Sequence, residues 1–342
     1  MRRLLDLQKR LFPDLDDVLR KRHAILRQVR SAGTIGRRSL AASLKMTERV
    51  LRAEVEFLRQ QGLLRVGPAG ISLTDEGAGL LDDLEPVVRE LFGLADLEDR
   101  LKQRYGLRRA VVVPGDAQAS DAAKFDLGRA GASVLRKYAA KGSVIAVGGG
   151  STMAVVAEQL TATASLKDCL FVPARGGLGE SVELQAGTIA SAMAKRTGAQ
   201  YRLLHVPDHL GEEAYQSLMQ DPSIRDVVAT IRSARIIVHG IGEAFEMARR
   251  RGLDAATVEA LRRSGARGEA FGYFFDADGR VVHKTPTVGI RLEDLPGAAT
   301  VIAIAGGSGK APAIDAVMRS GYSHVLVIDE AAARAILTEE TK

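Results

Sequence analysis

The stretch Ser143-Val144-Ile145-Ala146-Val147-Gly148-Gly149-Gly150-Ser151-Thr152-Met153-Ala154-Val155-Val156 decides the fold. It reads as a buried strand, a glycine turn bearing two hydroxyls, and the first turn of a helix. Three successive glycines let the backbone approach a ligand without Cβ interference. Ser151 and Thr152 set hydroxyls beside the unpaired N–H groups of a helix N-terminus, whose dipole favours an anion. Phosphate is the group such a turn is expected to hold. A tight strand-to-helix connection that binds nothing fits this stretch equally well, so the rest of the chain has to decide.

From residue 110 onward strand and helix patterns alternate, which implies a mostly parallel sheet in an α/β domain. Strands are expected at 110–113, 144–147, 170–172, 202–206, 236–239, 300–304 and 325–328. Helices are expected at 121–139, 152–160, 185–195, 223–233, 245–251, 257–263 and 312–319. Ligands of such sheets sit beyond the carboxyl ends of the strands. The glycine-rich segments fall there, at 148–150, 175–179, 240–242 and 306–309. Lys310 ends one of these loops, Arg175 begins another, and Arg250 and Arg251 lie on the helix after a third. With Gly149, Gly150, Ser151 and Thr152 these cations can form two anion subsites and hold two phosphates at once. Each basic residue taken singly reads as solvated surface charge, and their concentration at strand ends carries the argument. Glu269 and Gln185 add acceptors of the kind that hold sugar hydroxyls, although either is also readable as an ordinary surface group.

Other chemistries lack their residues. A dinucleotide fingerprint needs a glycine where Met153 stands, and the P-loop-like run Gly306-Gly307-Ser308-Gly309-Lys310-Ala311 has Ile304 and Ala311 at two obligatory positions. His205 and His209 are split by Pro207 and are completed by no carboxylate pattern, so no metal is expected. His239 at a strand end is either a general acid or base or, more commonly, a satisfied core histidine. Asp276 and Asp278 read as a hairpin turn. Cys169 has no partner and is expected to be buried and inert. No nucleophile-base pair is evident.

The chain has 342 residues, 46% of them hydrophobic, enough for two domains or for one large domain with an appendage. It carries no long apolar run and no apolar leader at Met1, so a cytoplasmic protein with no membrane span is expected. The formal charge of +6 is unevenly spread. Residues 1–65 hold 16 Lys and Arg against 7 Asp and Glu, whereas the remainder is net −3. Such a basic end points to nucleic acid. Helical spacing at 17–30 is followed by a short helix from Arg37 to Leu44, a turn at Lys45-Met46, and a third helix that Thr47 caps and Gly62 stops. Leu51, Val55 and Leu58 form its inner stripe; Arg49, Arg52 and Arg59 face outward. Two short strands around Gly67-Pro68-Ala69-Gly70 supply a wing, giving a winged helix-turn-helix over 1–73, with an N-terminal arm. Arg37, Arg38, Thr47, Arg49 and Arg52 are its candidate DNA contacts. Residues 74–106 read as a helical connector, interrupted at Pro86. Its leucines can pack on the large domain at 107–342 or on a second copy. A homodimer forming a tetramer on operator DNA is expected from the symmetry of such readers.

Gly148-Gly149-Gly150-Ser151-Thr152-Met153, Pro173-Ala174-Arg175-Gly176-Gly177, Gln185-Ala186-Gly187-Thr188, Arg267-Gly268-Glu269 and Gly306-Gly307-Ser308-Gly309-Lys310 occur in an order more specific than any one of them. Residues 37–342 thereby resemble the family of sugar-responsive bacterial repressors that includes the sorbitol operon regulator. The resemblance implies an effector domain similar in fold to ribose-phosphate isomerase and glucosamine-phosphate deaminase, without cofactor, and an effector of the fructose-1,6-bisphosphate type. It also implies that Gly149, Gly150, Ser151, Thr152, Arg175, Gln185, Arg250, Arg251, Glu269 and Lys310 contact the sugar phosphate. The expected function is a transcriptional repressor whose operator binding or assembly responds to a phosphorylated sugar. The rival is an isomerase or deaminase fused to a nucleic-acid-binding module.

Overall fold

The computed structural model describes residues 14–177, 181–208 and 212–338. The expected N-terminal arm lies partly outside the described residues. The basic N-terminal segment forms α1 (Asp14–Ala32), β1 (Thr34–Ile35), α2 (Arg37–Ser43), α3 (Glu48–Gln60), β2 (Leu64–Gly67) and β3 (Gly70–Leu73). The wing sheet has order β1-β3-β2, so a short strand after Gly33 joins the expected hairpin. Leu51, Val55 and Leu58 of α3 are buried with Ile25, Leu26 and Val29 of α1, as the apolar spacing demands. Thr47 caps α3 by accepting from the Val50 amide at 3.4 Å. Thr74 caps the next helix and also donates to the Gly62 carbonyl at 2.6 Å, fixing the exit of α3 against the start of the connector.

The connector comprises α4 (Asp75–Leu91) and α5 (Leu94–Tyr105). Pro86 does not interrupt α4, contrary to the sequence expectation; the chain breaks instead at Gly93, which has φ +68°. Its leucines pack within the chain. Leu94, Leu97 and Leu101 are buried against the large domain, with Val88 and Phe92 beside them.

The large domain continues through β4 (Arg109–Val113), α6 (Asp121–Tyr138), β5 (Val144–Val147), α7 (Ser151–Gln159), α8 (Ala164–Lys167), β6 (Leu170–Pro173), α9 (Ala186–Thr197) and β7 (Gln200–Tyr201). It then runs through α10 (Glu212–Leu218), α11 (Pro222–Arg232), β8 (Ile236–His239), β9 (Gly242–Glu243), α12 (Ala244–Arg250), α13 (Ala255–Arg263), β10 (Gly268–Ala270), β11 (Tyr273–Phe275) and β12 (Val281–Lys284). The last elements are β13 (Thr300–Ile304), α14 (Ala311–Arg319), β14 (Val325–Asp329) and α15 (Glu330–Thr338). Seven parallel strands, in order β4-β14-β13-β8-β5-β6-β7, form the central sheet. Alternate residues serve opposite cores: Val301 and Ala303 pack with α5, α14 and α15, while Ile302 and Ile304 pack with α6, α7 and α9.

Two features depart from the expected pattern. The strand expected at 202–206 is only Gln200–Tyr201, because the following apolar run leaves the sheet and Val206 packs with Val228 and Val288. A small antiparallel sheet, order β12-β11-β10-β9, folds over the carboxyl ends of the parallel strands. Asp276 and Asp278 occupy its β11–β12 turn, as expected.

The winged helix is docked on the large domain through α1. Arg27 Nε donates to Asp126 of α6, and its Nη2 donates to the Pro114 carbonyl at 2.9 Å. His23 lies buried beside them, edge-on to Phe92. Burial, followed by the positive charge of Arg27, pulls its pKa to about 4 against a weaker opposing pull from Asp126. In the unfolded chain this histidine takes up its proton near pH 6.5, whereas the folded chain leaves it neutral down to about 4. The contribution of His23 to stability is therefore expected to be constant above pH 6.5 and to fall by about 1.4 kcal/mol per pH unit between 6.5 and 4. Urea titrations of the wild type and His23→Gln between pH 4.5 and 7.5 should show a shallower acid limb in the variant. Parallel limbs would remove His23 as the cause.

Candidate functional site

The glycine turn after β5 extends the sheet and opens a pocket. The Gly148 amide donates to Val238 and the Gly150 amide to Leu184, both at 2.8 Å. Gly150 has φ +105°, and a Cβ on Gly149 would lie 2.7 Å from the Leu184 carbonyl, so side chains are excluded where the turn is tightest. No side chain caps the start of α7 at Ser151, nor that of α9 at Ala186. Both N-termini line one cavity of about 90 Å³ at the carboxyl ends of the strands. Gly149, Gly150, Ser151, Thr152, Arg175, Gln185, Arg250, Glu269 and Lys310 all line it. Arg175 and Gln185 form a wall shared with a second groove that runs past Gly187, Thr188 and Leu203 to Asp208.

Arg251 is placed differently. Its side chain is fully buried behind the pocket, donating to Asp208 at 2.6 Å and to Glu269 at 2.8 Å. Arg175 donates through Nε and Nη2 to the same Asp208 at 2.9 and 2.6 Å, with Nη1 3.4 Å from Glu269. Burial opposes the charge on Arg175, but Asp208 and then Glu269 outweigh it and hold the guanidinium protonated. Glu269 Oε1 further accepts from the Gly272 amide at 2.6 Å. Two arginines and two carboxylates thus form a compensated cluster, and its net charge toward a ligand is near zero. Asp208 was not among the candidates from sequence. No motif marks it, and only the bend of the chain after Pro207 brings it beneath Arg175.

The P-loop-like segment is also occupied from within. The amides of Gly307, Ser308 and Gly309 donate to Asp329, Asp116 and Gln118 at 2.6, 3.3 and 3.0 Å, so this loop contributes Lys310 and not a phosphate cradle. His239 lines the pocket but is a core histidine. It is 3% exposed, its Nδ1 is 2.9 Å from the Gly240 carbonyl, and it packs on Phe271 at 4.4 Å between ring centroids. Burial takes its pKa to about 4, leaving it neutral and poorly matched to acid-base work near neutrality. Phe271 has φ +55°, a left-handed conformation costly for an aromatic residue, beside the pocket.

On the winged helix, Arg37, Arg38, Arg49 and Arg52 are exposed and have no carboxylate partner among the described residues. Arg59 is instead tied to Glu56 at 2.6 Å. The other edge of α3 faces α1, where Arg22 pairs with Glu54 at 2.8 Å and stacks on Phe57 at 3.6 Å. The face that carries Arg49 and Arg52 is exposed, and Thr47 begins it as a helix cap.

Comparison with known proteins agrees with this two-part layout. Residues 18–88 match the family model of the CggR N-terminal DNA binding domain, and residues 89–338 match that of a sugar-binding domain. The central glycolytic genes regulator of Priestia megaterium is 48% identical over 340 residues, 99% of each chain. That of Bacillus subtilis is 45% identical over 340 residues, covering 99% of this chain and all of the other. Among solved structures, a SorC family transcriptional regulator from Enterococcus faecalis superposes with TM-score 0.67 at 43% identity, covering 71% of this chain and 99% of its own. The full-length sorbitol operon regulator of Klebsiella pneumoniae shares the fold over 94% of this chain and 99% of its own, with TM-score 0.64 at 19% identity. These relatives are regulators and not enzymes, and among the described residues no helix is long and apolar enough to cross a membrane. The chain belongs to the SorC family of transcriptional regulators, alongside the central glycolytic genes regulators.

Proposed function

We propose that this protein is a cytoplasmic repressor of glycolytic genes whose hold on operator DNA is set by a phosphorylated sugar, fructose-1,6-bisphosphate first among candidates. One observation carries the reading: the uncapped starts of α7 and α9 and the side chain of Lys310 face a single cavity at the ends of the parallel strands. Helix N-termini and a lysine are the donors a phosphate needs. One phosphate is assigned to Gly149, Gly150, Ser151 and Thr152, and a second to Lys310 and Arg250. Gln185 and Glu269 serve the sugar hydroxyls. Arg175 and Arg251, neutralised by Asp208 and Glu269, position that wall and do not supply free charge. The cavity alone is narrow for a bisphosphate, and the adjoining groove beyond Arg175 and Gln185 gives the sugar its length.

Arg37, Arg38, Thr47, Arg49 and Arg52 are assigned to the operator. The homodimer forming a tetramer on DNA rests on the two-fold symmetry usual for winged-helix readers. Leu94, Leu97 and Leu101 of the connector do not argue for it, since they are buried within the chain, whereas Leu80, Leu84 and Leu91 are half-buried and Val87 is exposed.

Arg52→Ala is expected to weaken operator binding. A phosphate contact would lower the salt slope by roughly 0.9, whereas a base contact would cost about 1–3 kcal/mol at one operator position. Fluorescence anisotropy at several salt concentrations distinguishes these, and unchanged binding removes Arg52 from the interface. Lys310→Ala is expected to lower bisphosphate affinity by about ten- to a hundredfold, the loss of a contact worth about 1.5–3 kcal/mol. The preference for bisphosphate over monophosphate should shrink with it, while DNA binding persists without its response to sugar. Calorimetry with both ligands tests this, and a variant that keeps the wild-type preference overturns the two-phosphate assignment.

A further inference from the structure

The junction between α1, α4, β4 and α6 encloses a cavity of about 290 Å³, roomier than the pocket at the strand ends. Among the described residues, six guanidinium groups line it, from Arg27, Arg30, Arg89, Arg109, Arg129 and Arg136, against the carboxylates of Glu85 and Asp126. Two further acids pair with these arginines without lining the cavity: Asp82 with Arg30, and Glu98 with Arg89. Positive charge remains in excess even when all four acids are counted. His23 adds none, being neutral near pH 7.

The pairing within this set is incomplete. Arg30 reaches Asp82 through Nη1 at 2.9 Å, but its Nη2 stands 3.7 Å from Asp126 and its Nε, closed off from solvent, has no acceptor. Arg129 is spread over Asp82, Glu85 and Asp126 at 3.5, 3.4 and 3.6 Å, sharing Asp82 with Arg30 and Asp126 with both Arg30 and Arg27. Arg109 makes no ion pair with a described residue. Buried polar donors are normally satisfied, and a cationic donor without an acceptor is costly. Burial, and then the proximity of Arg129, pull the Arg30 pKa below its ordinary value, in keeping with a positive potential in the cavity.

We propose that this junction cavity binds a small tetrahedral oxyanion of the phosphate type, held by Arg30, Arg109 and Arg129 and separate from the pocket at the strand ends. Forked guanidinium donors match the paired oxygens of such an anion. Because Arg30 belongs to α1 and Arg129 to α6, the bound anion fastens the winged helix to the large domain.

Inorganic phosphate is the probe. It is titrated into the full chain at constant ionic strength, with chloride as the balancing anion, and followed by calorimetry and thermal shift. Lys310→Ala serves as the background, which weakens one of the two phosphate subsites of the strand-end pocket and leaves the other, at Gly149 to Thr152, as an internal reference. A further phosphate site is expected in that background that weakens about tenfold or more when Arg30→Gln or Arg109→Gln is added, while the reference site is unchanged. Arg109→Gln removes a charge without breaking an ion pair to any described residue, which keeps the test valid if Arg30→Gln is destabilised. Absence of phosphate binding in the Lys310→Ala background, or equal affinity with and without the Arg109 change, overturns the proposal.

Discussion

Helices α6 and α7 touch at Gly128 and Gly131, and this contact joins the two ends of the molecule. A Cβ on Gly128 would lie 2.5 Å from the Val155 side chain, and one on Gly131 would lie 3.0 Å from Val156 of α7 and 2.6 Å from Ile304 of β13. Only hydrogen at these positions lets α7 lie directly on α6. The first residues of α7 are Ser151 and Thr152 of the pocket, while α6 holds Asp126, the partner of Arg27 on the winged helix. Interiors packed this closely resist deformation and move in discrete steps. A displacement of α7 at the pocket must therefore be met by α6, and α6 carries the junction.

Charge is arranged differently at the two ends. Around Asp208 and Glu269 the acids and arginines balance, with short contacts, and the cluster serves as a rigid wall for the pocket. Breaking such a buried set by removing one member costs about 3–5 kcal/mol, because the remaining charge is left uncompensated. At the junction the balance fails toward the positive, with contacts of 3.4 Å and longer around Arg129. A balanced cluster holds shape, and an unbalanced one invites an anion. In the proposed reading the pocket meets a ligand's negative charge with neutral donors at helix ends and with Lys310 and Arg250.

Much of this was legible in the chain. The parallel strands read out because both faces of the sheet are buried, giving short apolar runs bounded by glycine loops, and the winged helix read out because Thr47, Gly62 and the Leu51-Val55-Leu58 stripe are local signals. The pocket was legible as glycine loops at strand ends. Other features were not. The run at 202–206 has the composition of a strand but packs under a loop, and composition does not separate those outcomes. The short β9–β12 sheet lacks a long alternating pattern. The division of labour between Arg250 and Arg251, neighbours in a basic run, depends on which one the end of α12 turns toward Asp208, a tertiary fact with no local signature.

The connector narrows how a bound sugar can reach DNA. Leu94, Leu97 and Leu101 are buried in the main core, and Arg334 fastens α15 to the Phe92 carbonyl at 2.8 Å. The DNA-binding unit is thus not carried on a loose tether. Lifting α5 off the large domain with it would expose these three leucines at about 1.5–3 kcal/mol each. That sum is comparable to the whole stability of a typical domain and well above the 1–3 kcal/mol that couples most ligand sites. An effector can shift an equilibrium only by its difference in affinity for the two states. Release of α5 is therefore out of reach as a response, and any larger movement of the winged helix has to hinge at Gly93. What remains within reach is a shift of α6 against α1, where a few hydrogen bonds change length, or a change in how copies of the chain assemble on DNA.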